Sequence, residues 1–147
     1  MLKAGDQAPN FTLETDSGKQ VMLAELGDKP VVLFFYPKDD TPGCTVECKE
    51  FRDALPQFEG KAHVFGISSD DRASHQAFRD KFGLNFPLLC DPEGTVAKQF
   101  GVWAETQWGA QNKRTTFIIR GTQVARVFEN VKPQGHAEEV LGALGGP

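Results

Sequence analysis

The chain has 147 residues, 39% of them hydrophobic, which is enough for one substantial core and short for two. Its 16 Lys and Arg face 20 Asp and Glu, and the formal net charge of −4 makes nucleic acid and anionic membrane surfaces poor partners. Three cysteines, Cys44, Cys48 and Cys90, are too sparse and uneven for a secreted disulfide framework and fit free or transiently bridged thiols in a reducing compartment. The opening MLKAGDQAPNF lacks the apolar run of a signal peptide, and no stretch approaches the roughly 18 apolar residues of a membrane span, so the cytoplasm is the expected location.

In chain order, Phe11-Thr12-Leu13-Glu14 alternates weakly into a turn at Asp16-Ser17-Gly18-Lys19, and Val21, Leu23 and Leu26 suggest a short strand and a helical turn. Val31-Val32-Leu33-Phe34-Phe35-Tyr36 is apolar on both faces, the mark of a central strand covered on each side. Pro37 ends it, because proline cannot donate to a central ladder. The polar loop from Lys38 to Gly43, with its Lys38-Asp39-Asp40 charge run, reads as solvated. In the helix that follows, Cys44, Cys48, Phe51, Leu55 and Phe58 recur at spacings of 4, 3, 4 and 3, which places them on one face.

His63 to Ser68 reads as a second buried strand, followed by a turn at Asp70-Asp71 and a helix with Ala73, Ala77, Phe78 and Phe82 inward, ending near Gly83. Phe86 to Cys90 is a short strand segment, Asp91-Pro92-Glu93-Gly94 a turn, and Val96, Ala97 and Phe100 a brief helix capped by Gly101. Residues 104–113 show no period and are expected to form a surface loop. Thr115 to Ile119 and Val124 to Phe128 form a hairpin about Arg120-Gly121-Thr122, and a final helix runs from about Gly135 to Leu144. Strands alternating with helices, closed by a late hairpin, give an α/β fold: a mixed sheet with helices on both faces, one domain over residues 1–147. The site is expected where a central strand opens into a helix.

Cys44 occupies the first turn of its helix, where unpaired backbone N–H groups and the positive helix end favour thiolate over thiol. Pro42 can shield the sulfur while pre-setting the backbone, Gly43 admits close approach, and the Thr41 hydroxyl can donate to a bound oxygen and accept from a neighbour. An arginine would hold a negative sulfur. Arg114, directly before a core strand, suits that role, whereas Arg72, Arg79 and Arg120 read as surface charges. His63, His75 and His136 read as surface or edge groups, and Trp103 and Trp108 as aromatics beside the site or plain structural ones. A thiolate so placed can displace the leaving oxygen of a peroxide and become a sulfenic acid, which a second thiol captures.

The run Tyr36-Pro37-Lys38-Asp39-Asp40-Thr41-Pro42-Gly43-Cys44-Thr45 closely resembles the active-site segment of peroxiredoxins, and more specifically that of the bacterioferritin comigratory protein group, also called PrxQ. The similarity continues through Phe51-Arg52-Asp53, Phe65-Gly66-Ile67-Ser68, Phe86-Pro87-Leu88-Leu89, Asp91-Pro92-Glu93-Gly94, Phe100-Gly101-Val102-Trp103 and Arg114-Thr115-Thr116-Phe117-Ile118-Ile119, in order and over nearly the whole chain. The resemblance implies a thioredoxin fold with an added N-terminal hairpin and a helix insertion. It implies Cys44 as peroxidatic cysteine, Thr41 and Pro42 as site residues and Arg114 as the activating arginine. It further implies reduction of hydrogen peroxide and organic hydroperoxides, regeneration by thioredoxin or a related dithiol protein, a monomer, and chemistry with neither haem nor metal.

Many members of that group carry a resolving cysteine five residues after the peroxidatic one, but position 49 here is Lys49 and the cysteine is Cys48. In a regular helix Cβ atoms four residues apart lie about 5 to 6 Å from each other. A disulfide wants about 3.5 to 4.5 Å, so a Cys44–Cys48 bridge requires the helix start to unwind. Cys48 can equally be a buried core thiol. Cys90, at a strand's C-terminal end, is a second candidate resolver, and an outside thiol a third. A thiol-disulfide oxidoreductase is the rival enzyme, disfavoured because three residues rather than two separate Cys44 and Cys48. A zinc or interaction module using these cysteines with His63, His75 or His136 lacks any usual ligand spacing.

Overall fold

The computed structural model describes residues 1–144. Along the chain run β1 (Thr12–Thr15), β2 (Gln20–Met22), a 3-10 turn (Leu23–Glu25), β3 (Val31–Phe35), α1 (Pro42–Phe58), β4 (His63–Ser68) and α2 (Arg72–Phe82). There follow β5 (Leu88–Cys90), α3 (Thr95–Phe100), β6 (Trp103–Thr106), β7 (Gly109–Asn112), β8 (Thr115–Arg120), β9 (Gln123–Phe128) and α4 (His136–Leu144). Seven strands make one mixed sheet ordered β2-β1-β5-β4-β3-β8-β9. Within it β3, β4 and β5 are parallel, while β8 and β9 continue antiparallel on one side and the β1–β2 hairpin on the other.

The two-sided apolarity of β3 follows from its central place. Val32, Phe34 and Tyr36 point into a core with Cys44, Cys48, Phe51 and Phe58 of α1, Phe78 of α2 and Val140 of α4. Val31, Leu33 and Phe35 point the other way, against Ala97 and Phe100 of α3, Phe11 and Leu23. Helices thus cover both faces, as the strand pattern predicts.

Three expectations need correction. Residues 104–113 are mostly not loop: β6 and β7 pair from Trp103↔Asn112 to Thr106↔Gly109 as a separate two-stranded sheet. That hairpin buries little apolar surface beyond Trp103, which is half-buried against the core under α3, and Trp108 at its tip is 78% exposed, so it carries no alternating hydrophobic signal. In α2, Ala73 and Ala77 are exposed, and the inward stripe is His75 and Phe78, with Phe82 half-buried. Nor is Arg79 a free surface charge, since it donates to the buried Asp16 carboxylate at 2.7 Å and ties α2 to the N-terminal hairpin.

Candidate active site

Strand register gathers the site. Phe35, the last residue of β3, pairs with Thr115, the first of antiparallel β8, so Arg114 stands at the edge where the chain leaves β3 for α1. The parallel strands β4 and β5 end at this same edge with Ser68 and Cys90. Asp40 takes a left-handed backbone (φ 55°), a turn an aspartate tolerates, and directs the chain into Thr41, the N-cap of α1. Pro42 follows at the first helical position, where a missing N–H costs nothing.

Cys44 is buried in the first turn of α1, and the Arg114 guanidinium donates to its Sγ at 3.4 Å. The other arm of the guanidinium donates to Glu47 Oε1 at 2.7 Å. Glu47 lies one helical turn after Cys44 and is itself buried, so the arginine is held between a sulfur and a carboxylate. Burial works against the charge on Arg114, but Cys44 and Glu47 outweigh it and keep the guanidinium protonated. Gly43 makes room for this arrangement: a Cβ there would sit 2.9 Å from Arg114 Nη2 and 3.4 Å from Pro133 Cγ.

The Thr41 side chain makes no capping bond, leaving the N–H groups of the first turn without a side-chain acceptor among the described residues. Its hydroxyl donates instead to the Lys38 carbonyl at 2.8 Å. With its hydrogen so committed, the Thr41 hydroxyl offers lone pairs rather than the donor expected from sequence, and the donors at this helix start are the Arg114 guanidinium and the backbone amides. Cys48 is wholly buried one turn below Cys44, and burial, with Glu47 and Cys44 adding, pushes its thiol well above the ordinary range. Cys90 shares the sheet edge, but β4 separates its strand from β3, and burial with Glu14 and Asp16 raises its thiol to about 11. All three cysteines are free.

Glu47 was missed in the sequence, although the spacing 44-47-51-54-58 of buried α1 positions marks it as inward-facing. Two histidines also differ from expectation. His75 and His136 are buried, with His136 bonded to Thr116 and Glu139, and only His63 is partly exposed. The charge run is not simply solvated either, because Asp39 is buried and accepts from Tyr36, Ser74 and His75.

Burial pushes the Glu47 carboxyl up to about 7 against the opposing pull of Arg114, with Glu50 adding to the rise. A carboxyl harder to ionise folded than unfolded stabilises fully below its ordinary value of 4.5 and loses that contribution as pH rises through about 7. The loss is on the order of 3 kcal/mol. Glu47→Gln, with no proton to lose, should gain about that much relative to the parent between acid and mildly alkaline pH, read by urea unfolding at both. A difference that does not change with pH would exclude Glu47 as the titrating group.

A family model described as the AhpC/TSA family matches residues 4–127. The chain belongs to that family. A peroxiredoxin bcp of Coxiella burnetii is 44% identical over 149 residues, which cover 97% of this chain and 99% of its own. Among solved structures, a mutant of Xylella fastidiosa PrxQ matches with a TM-score of 0.92 at 37% identity, over 98% of this chain and 96% of that one. The Xanthomonas campestris bacterioferritin comigratory protein matches with a TM-score of 0.86 at 36% identity, over 91% and 89%. The chain is thus a peroxiredoxin, a peroxidase that works through a cysteine thiol, and its mixed sheet with flanking helices is the thioredoxin fold.

Proposed function

We propose that Cys44 is the peroxidatic cysteine, that Arg114, Thr41 and Pro42 form its site, and that Cys48 resolves it. The observation that carries this reading is the Arg114 guanidinium bridging Cys44 Sγ and Glu47 Oε1 at the start of α1. The Cys44 thiolate attacks the nearer oxygen of a hydroperoxide; an S–O bond forms as the O–O bond breaks, and the sulfur loses two electrons. Arg114 and the free amides of the first turn stabilise charge on the departing oxygen, which leaves as water or alcohol once protonated. The Xanthomonas campestris relative has alkyl peroxide reduction activity, which supports organic hydroperoxides beside hydrogen peroxide as substrates.

The sulfenic acid then condenses with the Cys48 thiol, releasing water and leaving a disulfide. Within the intact helix Cys48 is buried and kept protonated, so it reacts only after the first turns of α1 unwind and expose it. Thioredoxin or a similar dithiol protein reduces the bridge. We further place the protein in a reducing compartment, the cytoplasm, as a monomer acting as one domain. The sparse free thiols and the two cores that together run from Ala8 to Leu144 support that view.

The test is mass spectrometry of digested protein after one equivalent of hydrogen peroxide, with free thiols blocked at quench. A Cys44–Cys48 bridge is the expected product. A Cys44 sulfenic acid with Cys48 and Cys90 still free would replace Cys48 with an outside thiol, and a Cys44–Cys90 bridge would make Cys90 the resolver. Oxidation that spares Cys44 would overturn the whole assignment.

A further inference from the structure

The loop that delivers Cys44 is fastened at its far end to α2. Asp39 Oδ2 accepts from His75 Nδ1 at 2.7 Å and from Ser74 Oγ at 2.8 Å, while Oδ1 accepts from Tyr36 Oη at 2.6 Å. The other ring nitrogen of His75, Nε2, lies 2.9 Å from the Leu89 carbonyl of β5. A carbonyl only accepts, so Nε2 carries a hydrogen, and a carboxylate receiving two other donors calls for one on Nδ1 as well. His75 is thereby an imidazolium, wholly buried, paired with a buried carboxylate.

The neighbouring residues reinforce this anchor. The Asp39 amide donates to Asp70 Oδ2 at 2.8 Å, and Asp70 is itself held by Ser68 Oγ at 2.7 Å. Asp39, Asp70 and His75 lie close enough to share a metal ion, but both ring nitrogens of His75 and the Asp39 carboxylate are already engaged. The cluster is a clamp between the exits of β3 and β4, the start of α2 and the end of β5. None of its hydrogen bonds goes to Cys44, yet only Asp40 separates Asp39 from the Thr41 cap.

We propose that His75 is a positioning residue whose ion pair with Asp39 holds the loop before α1 closed and so sets how readily the first turns of α1 unwind to bring Cys44 to Cys48. While Asp39 is pinned, the chain from Asp40 onward cannot swing; unwinding the helix start then means breaking the clamp or straining the turn at Asp40. Releasing His75 removes that restraint without altering any group that faces the peroxide. The kinetic consequence rests on the reading of Cys48 as resolver, but the opening of the loop does not.

The experiment is hydrogen exchange read by mass spectrometry on the reduced protein, comparing His75→Gln with the parent. Peptides spanning residues 37–48 should exchange at least about tenfold faster in the variant, the least that loss of one charge-assisted hydrogen bond implies. Those from β8 should be unchanged. No acceleration in 37–48, or equal acceleration everywhere, would overturn the proposal, the latter by making His75 merely structural. Ser74→Ala removes one of the three donors to Asp39 and should open the same segment to a smaller degree, which keeps the test decisive if His75→Gln does not fold.

A pH series adds an arm that a packing role would not move. The charged groups that act on His75 are the Asp39 and Asp70 carboxylates from two loops; Tyr36 donates to the same Asp39 carboxylate, and Cys90 follows Leu89, whose carbonyl meets His75 Nε2. Burial keeps Tyr36 and Cys90 neutral across the neutral range, the Cys90 thiol rising to about 11. Burial opposes the charge on His75, but Asp39 outweighs it and raises the imidazole above its ordinary value of 6.5, so the clamp holds below that value and loosens as pH rises through the raised one. In a Glu47→Gln background, which removes a second titrating group in this segment, protection of 37–48 corrected for intrinsic exchange should fall more steeply with rising pH when His75 is present than when it is glutamine. An equal slope in both would overturn the proposal. Where peroxide yields the Cys44–Cys48 bridge, His75→Gln should speed bridge formation about tenfold and leave the first oxidation of Cys44 unchanged.

Discussion

Cys44→Ser should lose peroxide reduction down to the uncatalysed level while keeping its fold. A serine hydroxyl stays protonated where a thiol can ionise, and oxygen attacks the O–O bond far less readily than sulfur, so the enzyme loses its nucleophile outright. The exchange is close in size, and a hydroxyl can accept from Arg114 as Sγ does at 3.4 Å, so only a small stability change is expected, on the order of 1 kcal/mol. Peroxide consumption with a small dithiol as reductant, beside a thermal melt, checks both halves. Near-parental turnover in the variant would remove Cys44 from the mechanism and with it the assignment of the site.

Replacing Arg114 should have the next largest effect, slowing the oxidation of Cys44 by roughly 100- to 1,000-fold, as the loss of a donor aimed at developing charge does elsewhere. Arg114→Lys should recover little of it, because a point charge on a flexible stem cannot bridge Cys44 and Glu47 as the planar guanidinium does. Stability should suffer less than rate. Deprived of its cation, Glu47 is already poised near 7 and escapes an uncompensated buried charge by keeping its proton. Rapid-mixing oxidation under limiting peroxide, paired with urea unfolding, separates the two. A large fall in stability with an unchanged rate would make the arginine a structural pillar.

These effects interlock because Arg114 serves two acidic neighbours. An ionised Glu47 draws on the same guanidinium that Cys44 needs, and a protonated one leaves it to the sulfur. Glu47 lies on the buried stripe of α1, so the helix that carries Cys44 also carries the carboxyl that competes with it for the Arg114 guanidinium.

The sequence by itself determined what depends on neighbours along the chain. Six apolar residues ending in Tyr36 mark a central strand, the 3- and 4-residue spacings from Cys44 to Phe58 mark a helix face, and the Thr-Pro-Gly approach marks a helix N-terminus at Cys44. Periodicity and capping are local, so they are readable without knowing the fold. Arg114 was legible for a related reason, since it directly precedes a core strand and antiparallel pairing returns such a residue to the edge where β3 ends. The tertiary structure alone decided the partnerships. Asp39 and His75 lie 36 residues apart, Glu47 and Arg114 67, and each looks like an ordinary polar residue until sheet order brings β3, β4, β5 and β8 to a common edge. The polar β6–β7 hairpin stayed hidden for the opposite reason: it buries too little to leave a pattern. A buried charge is stable only beside its partner, and no local pattern records which partner that will be.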